Sequence, residues 1–174
     1  MGLPAIDGLL VGQVVHGVLE NIVLDAIPDR PADLASAFAG LPVEVPWPAA
    51  DRFDRLLQRE AQRIARREGL STIGMAPLLA ARARQFLALA RELEWGSDGV
   101  LAGVVAPEVE GAVAIAGVEP PLAFRADRVD VGRSGTDLVD YKAAKPLSTA
   151  AGPDTRESHL LDKVAKGRLL QAAA

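Results

Sequence analysis

The sequence predicts an α/β chain that builds helices first, an antiparallel sheet next and one helix last. Two observations carry this expectation. Apolar residues recur at helical spacing through about the first 95 residues, and strand-like runs broken by glycine and proline take over from about residue 96. A chain of 174 residues that is 49% hydrophobic is sized for one domain with a sizeable core. We therefore expect a single domain over 1–174, with a helical part over about 1–95 and a sheet plus last helix over about 96–174.

Each element has its own local reason. In VGQVVHGVLENIVLDAI, Val11, Val15, Val18, Leu19 and Ile22 fall on one side of a helix, which Pro28 and Pro31 close. DLASAFAG suits a short helix, and the proline-rich LPVEVPWPAA after it reads as a loop or linker. From Asp51 to Glu68 a further helix carries Phe53, Leu56, Leu57, Ala61 and Ile64 on its apolar side, with arginines around the rest. Pro77 is suited to the first turn of the next helix, where its missing N–H costs nothing, and that helix runs to about Glu94. Gly96 and Gly99 introduce the strand-like VLAGVVAPEVEGAVAI. VEPP then interrupts before LAFRADRVDV and TDLVDYKAA, which pair as a hairpin through GRSG. The last helix starts at about Leu160. The closing RLLQAAA has no stop signal, so we expect a fragment or a domain boundary there.

Composition removes several function classes. With no cysteine, disulfides, thiolate catalysis and cysteine-ligated zinc or iron–sulfur clusters are all excluded. The absence of cysteine agrees with a reducing compartment. Neither a signal-like start nor a long apolar run is expected, so the chain reads as cytoplasmic with no membrane partner. A net charge of −4 argues against autonomous tight nucleic-acid binding, since such affinity comes from accumulated lysine and arginine. It does not argue against a nuclease, because a metal ion inverts the local field and a larger partner supplies the grip. Aromatic residues at 4% are too few for a row of base-stacking platforms.

The chemistry concentrates in the hairpin DRVDVGRSGTDLVDYKAA, Asp127 to Ala144. Alternation places Asp127 on the face of Val129 and Val131, and puts Asp140 and Lys142 on that of Leu138. Two carboxylates converging on one point oppose joint ionisation, and a divalent cation relieves the conflict. Mg²⁺, with Mn²⁺ as an alternative, takes few carboxylates and keeps room for water and a phosphate oxygen. Lys142 then stands where its ammonium orients the attacking water or stabilises charge on a scissile phosphate. The residues alone leave a second reading open, in which the three charges solvate a strand face and form an ordinary ion pair. Arg128 and Asp130 alternate to the opposite face and read as surface charges, and Tyr141 reads as packing.

Further candidates lie elsewhere. His16 sits in a strongly periodic helix with Glu20 one turn on, which suits either a metal-ligating imidazole with its second nitrogen held or a structural histidine. Glu108 and Glu110 share a strand face if that strand is regular. They either extend a metal cluster or form an acidic edge that discourages association. Gln171 defaults to a solvent-exposed helix position, or holds a water or a phosphate oxygen if the last helix returns to the sheet. His159 has less support.

Taken together, GQVVHGVLE (Gly12 to Glu20), ADRVD (Ala126 to Asp130), VDYK (Val139 to Lys142) and LLQ (Leu169 to Gln171) resemble the PD-(D/E)XK nuclease superfamily, in particular its RecB-like and AddB-type exonuclease domains. The resemblance spans almost the whole chain in the expected order. It implies a restriction-endonuclease-like mixed central sheet flanked by helices, and a Mg²⁺- or Mn²⁺-dependent deoxyribonuclease acting in DNA repair or recombination. It also implies DNA and a helicase domain or subunit as partners. By resemblance His16 matches the histidine near the start of the domain, Asp127 and Asp140 the metal-binding aspartates, and Lys142 the catalytic lysine. Gln171 matches the glutamine on the helix after the catalytic strands, and Glu110 an upstream acidic position. The iron–sulfur cluster of AddB-type relatives does not carry over, because its cysteines are missing. Many relatives have glycine three residues before the first aspartate, where this chain has Phe124.

Overall fold

The computed structural model describes residues 8–70, 74–114, 119–132, 135–141, 152 and 154–159. Helix α1 spans Gly8–Ala26, α2 Leu34–Ala39, α3 Ala50–Arg67 and α4 Ala76–Ala90, with α4 continuing into a wider π turn over Arg91–Trp95. Strands β1 (Val43–Pro46), β2 (Val100–Val113), β3 (Leu122–Gly132) and β4 (Gly135–Val139) form one sheet in the order β1-β2-β3-β4. All three pairings are antiparallel. The architecture is mixed α/β, with helices preceding most of the sheet. Residues 154–159 are helical, and the helix expected from about Leu160 lies outside the described residues.

Helix α1 buries Val11, Val14, Val15, Val18, Leu19, Ile22 and Val23 and stops two residues before Pro28. At 19 residues it is long and apolar enough to cross a membrane by length and composition alone. Here that apolarity is spent on α3, α4 and the sheet, within one cluster that includes Leu57, Ile64, Leu79, Leu87, Trp95 and Val104. In α3 every residue expected on the apolar side is buried, and so is Glu60. Asp33 caps α2 by accepting the Ser36 N–H at 2.8 Å, which satisfies one of the first-turn donors.

The segment expected to be a loop or linker contains β1. Its Val43-Glu44-Val45 alternation was the signal, and two prolines obscured it. Pro46 is tolerated because β1 is an edge strand. Val45 is fully buried, and its carbonyl accepts the Trp95 indole N–H at 2.9 Å.

Two irregularities in the β2–β3 ladder decide which residues face the helices. The register shifts between Val104–Asp130 and Ala106–Val129, a bulge that sends Val104 into the helix-side cluster and Ala106 into a second cluster beneath α2. Gly103 makes this possible, with φ 83° and a position where a Cβ would lie 2.5 Å from the Val131 carbonyl. Further along, the pairing runs from Pro107–Arg128 to Val109–Ala126, and Glu108 between them has φ 35°. Simple alternation fails at this step. Val129 joins the second cluster, whereas Asp127 meets α1 and Arg128 stacks over Trp95. Phe124 pairs with Gly111, and its ring occupies the place where a Cβ on Gly111 would lie, 2.5 Å away.

Candidate functional site

The hairpin register brings the two aspartates together. Arg128 pairs with Val139 across β3 and β4, so one step further Asp127 comes opposite Asp140, just past the end of β4. Asp140 is close enough to help hold the Asp127 carboxyl below its usual value. Asp140 is exposed and Asp127 largely buried.

His16 projects from the middle of α1 into this corner. Its Nδ1 is 3.3 Å from Asp127 Oδ2, and its Nε2 bonds to the Tyr141 carbonyl. The same Asp127 oxygen accepts the Tyr141 N–H at 2.7 Å. Both ring nitrogens therefore face acceptors, an arrangement that a doubly protonated imidazolium satisfies. The bond to Asp127 raises the His16 pKa above its ordinary value. Burial opposes that rise, while the charge of Asp127, the Tyr141 carbonyl and the field of Asp140 add to it. For Asp127, burial pushes the carboxyl up but is outweighed by hydrogen bonds from His16 and the Tyr141 N–H, the His16 charge and the Asp140 contact. Its net shift is below the usual carboxylate value.

Tyr141 is fixed from the other side by Arg128. This guanidinium, 3% exposed, was expected on the surface and is instead buried and held by several partners. It donates to Asp130 through Nε at 2.8 Å and through Nη2 at 2.7 Å, and through Nη1 to Glu94 and the Tyr141 hydroxyl. It also lies 5.9 Å from the Trp95 ring centre and 5.4 Å from that of Tyr141. Burial raises the Tyr141 hydroxyl pKa, partly offset by Arg128, with Glu94 and Asp130 adding to the rise. Tyr141 packs as expected, against the helix-side core. Its peptide group was not foreseen as a participant, because sequence patterns carry information about side chains alone. The π turn presents Glu94 to Arg128, and no spacing rule pointed to that pair.

A cleft of about 730 Å³ opens over His16, between α1, α3 and the sheet, and is lined among others by Glu20, Arg63, Arg67, Glu108 and Arg125. Arg30 bridges Glu20 and Glu108, and Arg125 pairs with Glu108 at 2.7 Å. Burial and the Glu108 charge raise the Glu20 pKa, while Arg30 lowers it. Glu108 faces the cleft; Glu110 is exposed and pairs across the ladder with Arg125. Lys142 and Gln171 lie outside the described residues. Among the described residues, no three histidine, aspartate or glutamate side chains form a metal-holding group. The third group beside His16 and Asp127 is the Tyr141 carbonyl. The carboxylate and carbonyl oxygens are of the types that Mg²⁺ or Mn²⁺ takes, whereas an imidazole is more typical of softer metals, and His16 would join only by losing a proton and one of its two hydrogen bonds.

No family model, curated protein or solved structure matches this chain.

Proposed function

We propose that the chain is a Mg²⁺- or Mn²⁺-dependent deoxyribonuclease domain of the PD-(D/E)XK type, processing DNA ends in repair or recombination. One observation supports the reading: His16 from α1, Asp127 from β3 and the Tyr141 peptide just past β4 are joined by hydrogen bonds, with Asp140 next to Tyr141, and His16 and Tyr141 line an open cleft. They come from three separate elements, yet they are the groups that the resemblance nominated, together with the carbonyl next to Asp140. Asp127, Asp140, His16 and the Tyr141 carbonyl would hold the cation. When bound, the cation would neutralise phosphate charge and acidify a water molecule. The chain's own contribution is placement. Arg128 fixes Tyr141, the Tyr141 N–H orients Asp127, and Asp127 orients His16. Lys142, two residues after Asp140, is assigned the charge-stabilising role and Gln171 that of holding a water or phosphate oxygen. In this reading the four antiparallel strands belong to a restriction-endonuclease-like mixed central sheet. The domain works in the cytoplasm beside a helicase domain or subunit, which adds to whatever hold on DNA a chain of net charge −4 has by itself.

Asp140→Ala should abolish Mg²⁺-dependent digestion of end-labelled DNA while leaving the circular dichroism spectrum intact, since it removes an exposed charge next to another carboxylate. Unchanged cutting by purified D140A would reject the assignment.

A second reading is favoured by the saturation of His16, whose two nitrogens and whose carboxylate partner are already satisfied inside the protein. In it, the same corner is a charge-paired lock in a nuclease-like module that binds DNA or a protein without cutting. Titration with Mg²⁺ or Mn²⁺ separates the two: metal binding with turnover supports the enzyme, and binding without turnover supports the module.

A further inference from the structure

The chain is acidic overall, yet α3 carries six arginines against three acidic residues. Arg52, Arg55, Arg59, Arg63, Arg66 and Arg67 follow one another at steps of three or four residues, apart from the final adjacent pair, so they fall within one stripe of the helix. They are all exposed. The stripe follows the seam where α3 runs antiparallel to α1. Arg52 meets Asp25 at 2.6 Å, Arg59 meets Asn21 at 3.0 Å, and Arg67 bonds to Gln13. Between them, Glu60 and Arg63 press against Gly17. A depression of about 430 Å³ lined by Asp25, Arg52, Arg55 and Arg59 occupies the far end of the seam. The near end is the cleft over His16, where Arg63 and Arg67 stand with Arg125 from β3.

We propose that this seam is a phosphate track that leads one DNA strand into the cleft, an inference that rests on the nuclease reading. Arginines one turn apart repeat at about 5.4 Å, a regular ladder of forked donors suited to a polyanion. Their present partners do not compete strongly. Arg52, Arg55 and Arg67 are about half exposed or more and their partners are exposed too, and exposed ion pairs contribute only about 0–1 kcal/mol. Glu60, buried between Arg59 and Arg63, keeps those two aimed along the seam. The cleft has the volume of a small-ligand pocket, which admits a strand end and not a duplex. Its aromatic residue, Tyr141, has its hydroxyl turned inward to Arg128, so recognition falls to the backbone phosphates and is indifferent to sequence.

The test uses the whole chain in EDTA, where cutting is silent, and reads fluorescence anisotropy of a labelled oligo(dT) across a salt series. Arg59→Gln, Arg63→Gln and Arg67→Gln together should weaken binding at least tenfold at low salt. The slope of log affinity against log salt should fall by about 2, from a coefficient of roughly 0.7 per phosphate contact on single strands. Arg82→Gln, Arg84→Gln and Arg91→Gln, which remove the same charge from exposed sites on α4 and its π turn, should change binding less than twofold. The lysine triple at 59, 63 and 67 should retain the salt slope. In the wild-type chain, photocrosslinks from an iododeoxyuridine strand should map to α3 peptides, which makes the test independent of whether any variant folds. Equal losses in the two glutamine triples, tighter binding of blunt duplex than of single strand, equal competition by polyglutamate, or crosslinks that avoid α3 would each overturn the track. Adding Mg²⁺ keeps the two ideas apart. Binding through the seam without cutting leaves the track standing and removes the nuclease reading, whereas cutting that survives the seam triple unchanged does the reverse.

Discussion

Replacing Arg128 with methionine keeps an unbranched apolar stem but removes the one cation that two carboxylates and a tyrosine share. Asp130 and Glu94, whose side chains are 15% and 26% exposed, would lose their guanidinium while still partly shielded from water. Breaking one side of a buried pair costs about 3–5 kcal/mol. The residual exposure of Glu94 lets water recover part of that, and methionine keeps a favourable contact with Trp95 and Tyr141, so the lower end, about 3 kcal/mol, is expected. For a chain of this size each kcal/mol moves the thermal midpoint by about 2–4 °C, giving a fall of roughly 6–12 °C. Urea titration followed by circular dichroism measures the loss directly. The triple change E94Q/R128M/D130N should recover most of it, because a neutral, well-filled replacement of a buried ion network is tolerated. R128K should fall between, as a point charge cannot reproduce the bidentate fork on Asp130. A loss below about 1 kcal/mol in R128M, or no recovery in the triple variant, would refute the view that this guanidinium organises the sheet end.

Three further outcomes follow from the geometry. Gly103→Ala places a Cβ against the Val131 carbonyl at φ 83°, and should cost about 1–3 kcal/mol from the backbone conformation alone; an unshifted urea midpoint would show that the bulge relaxes. Gly17→Ala gains about 1 kcal/mol of helix propensity but puts a methyl 2.7 Å from Glu60 Oε2, where overpacking costs about 1–3 kcal/mol. A net loss is expected, and a stabilised variant would mean that Glu60 swings free. In metal-free protein, His16 has its folded pKa raised above its ordinary 6.5. Its contribution to stability is therefore complete below pH 6.5 and lost as pH rises through the folded pKa. Asp127, depressed below its ordinary 3.8, contributes above that value and loses its contribution as pH falls through its folded pKa. Stability measured in EDTA should decline above pH 6.5 in the wild type, and His16→Gln should flatten that limb; identical profiles would exclude the pair as the cause.

The sequence by itself determined the order of the four helices and of strands β2 to β4, because local periodicity and glycine–proline punctuation are properties of neighbours along the chain. It placed the buried sides of α1 and α3 and the β3–β4 hairpin, and nominated His16, Asp127 and Asp140 before any contact was known. Strand β1 escaped it because prolines mask a short edge strand whose stability comes from pairing with distant Val100–Val104. What only the tertiary structure decided was facing and partnership. The bulge at Val104–Ala106 and the positive φ of Glu108 break the two-residue alternation on which facing was inferred, so Asp127 and Arg128, adjacent in sequence, both turn toward the helices. Arg128 changes from a surface charge to a buried one because Glu94 and the Tyr141 hydroxyl reach it from elsewhere in the chain. The Tyr141 peptide enters the site for the same physical reason: backbone groups acquire a role only when folding brings another element against them.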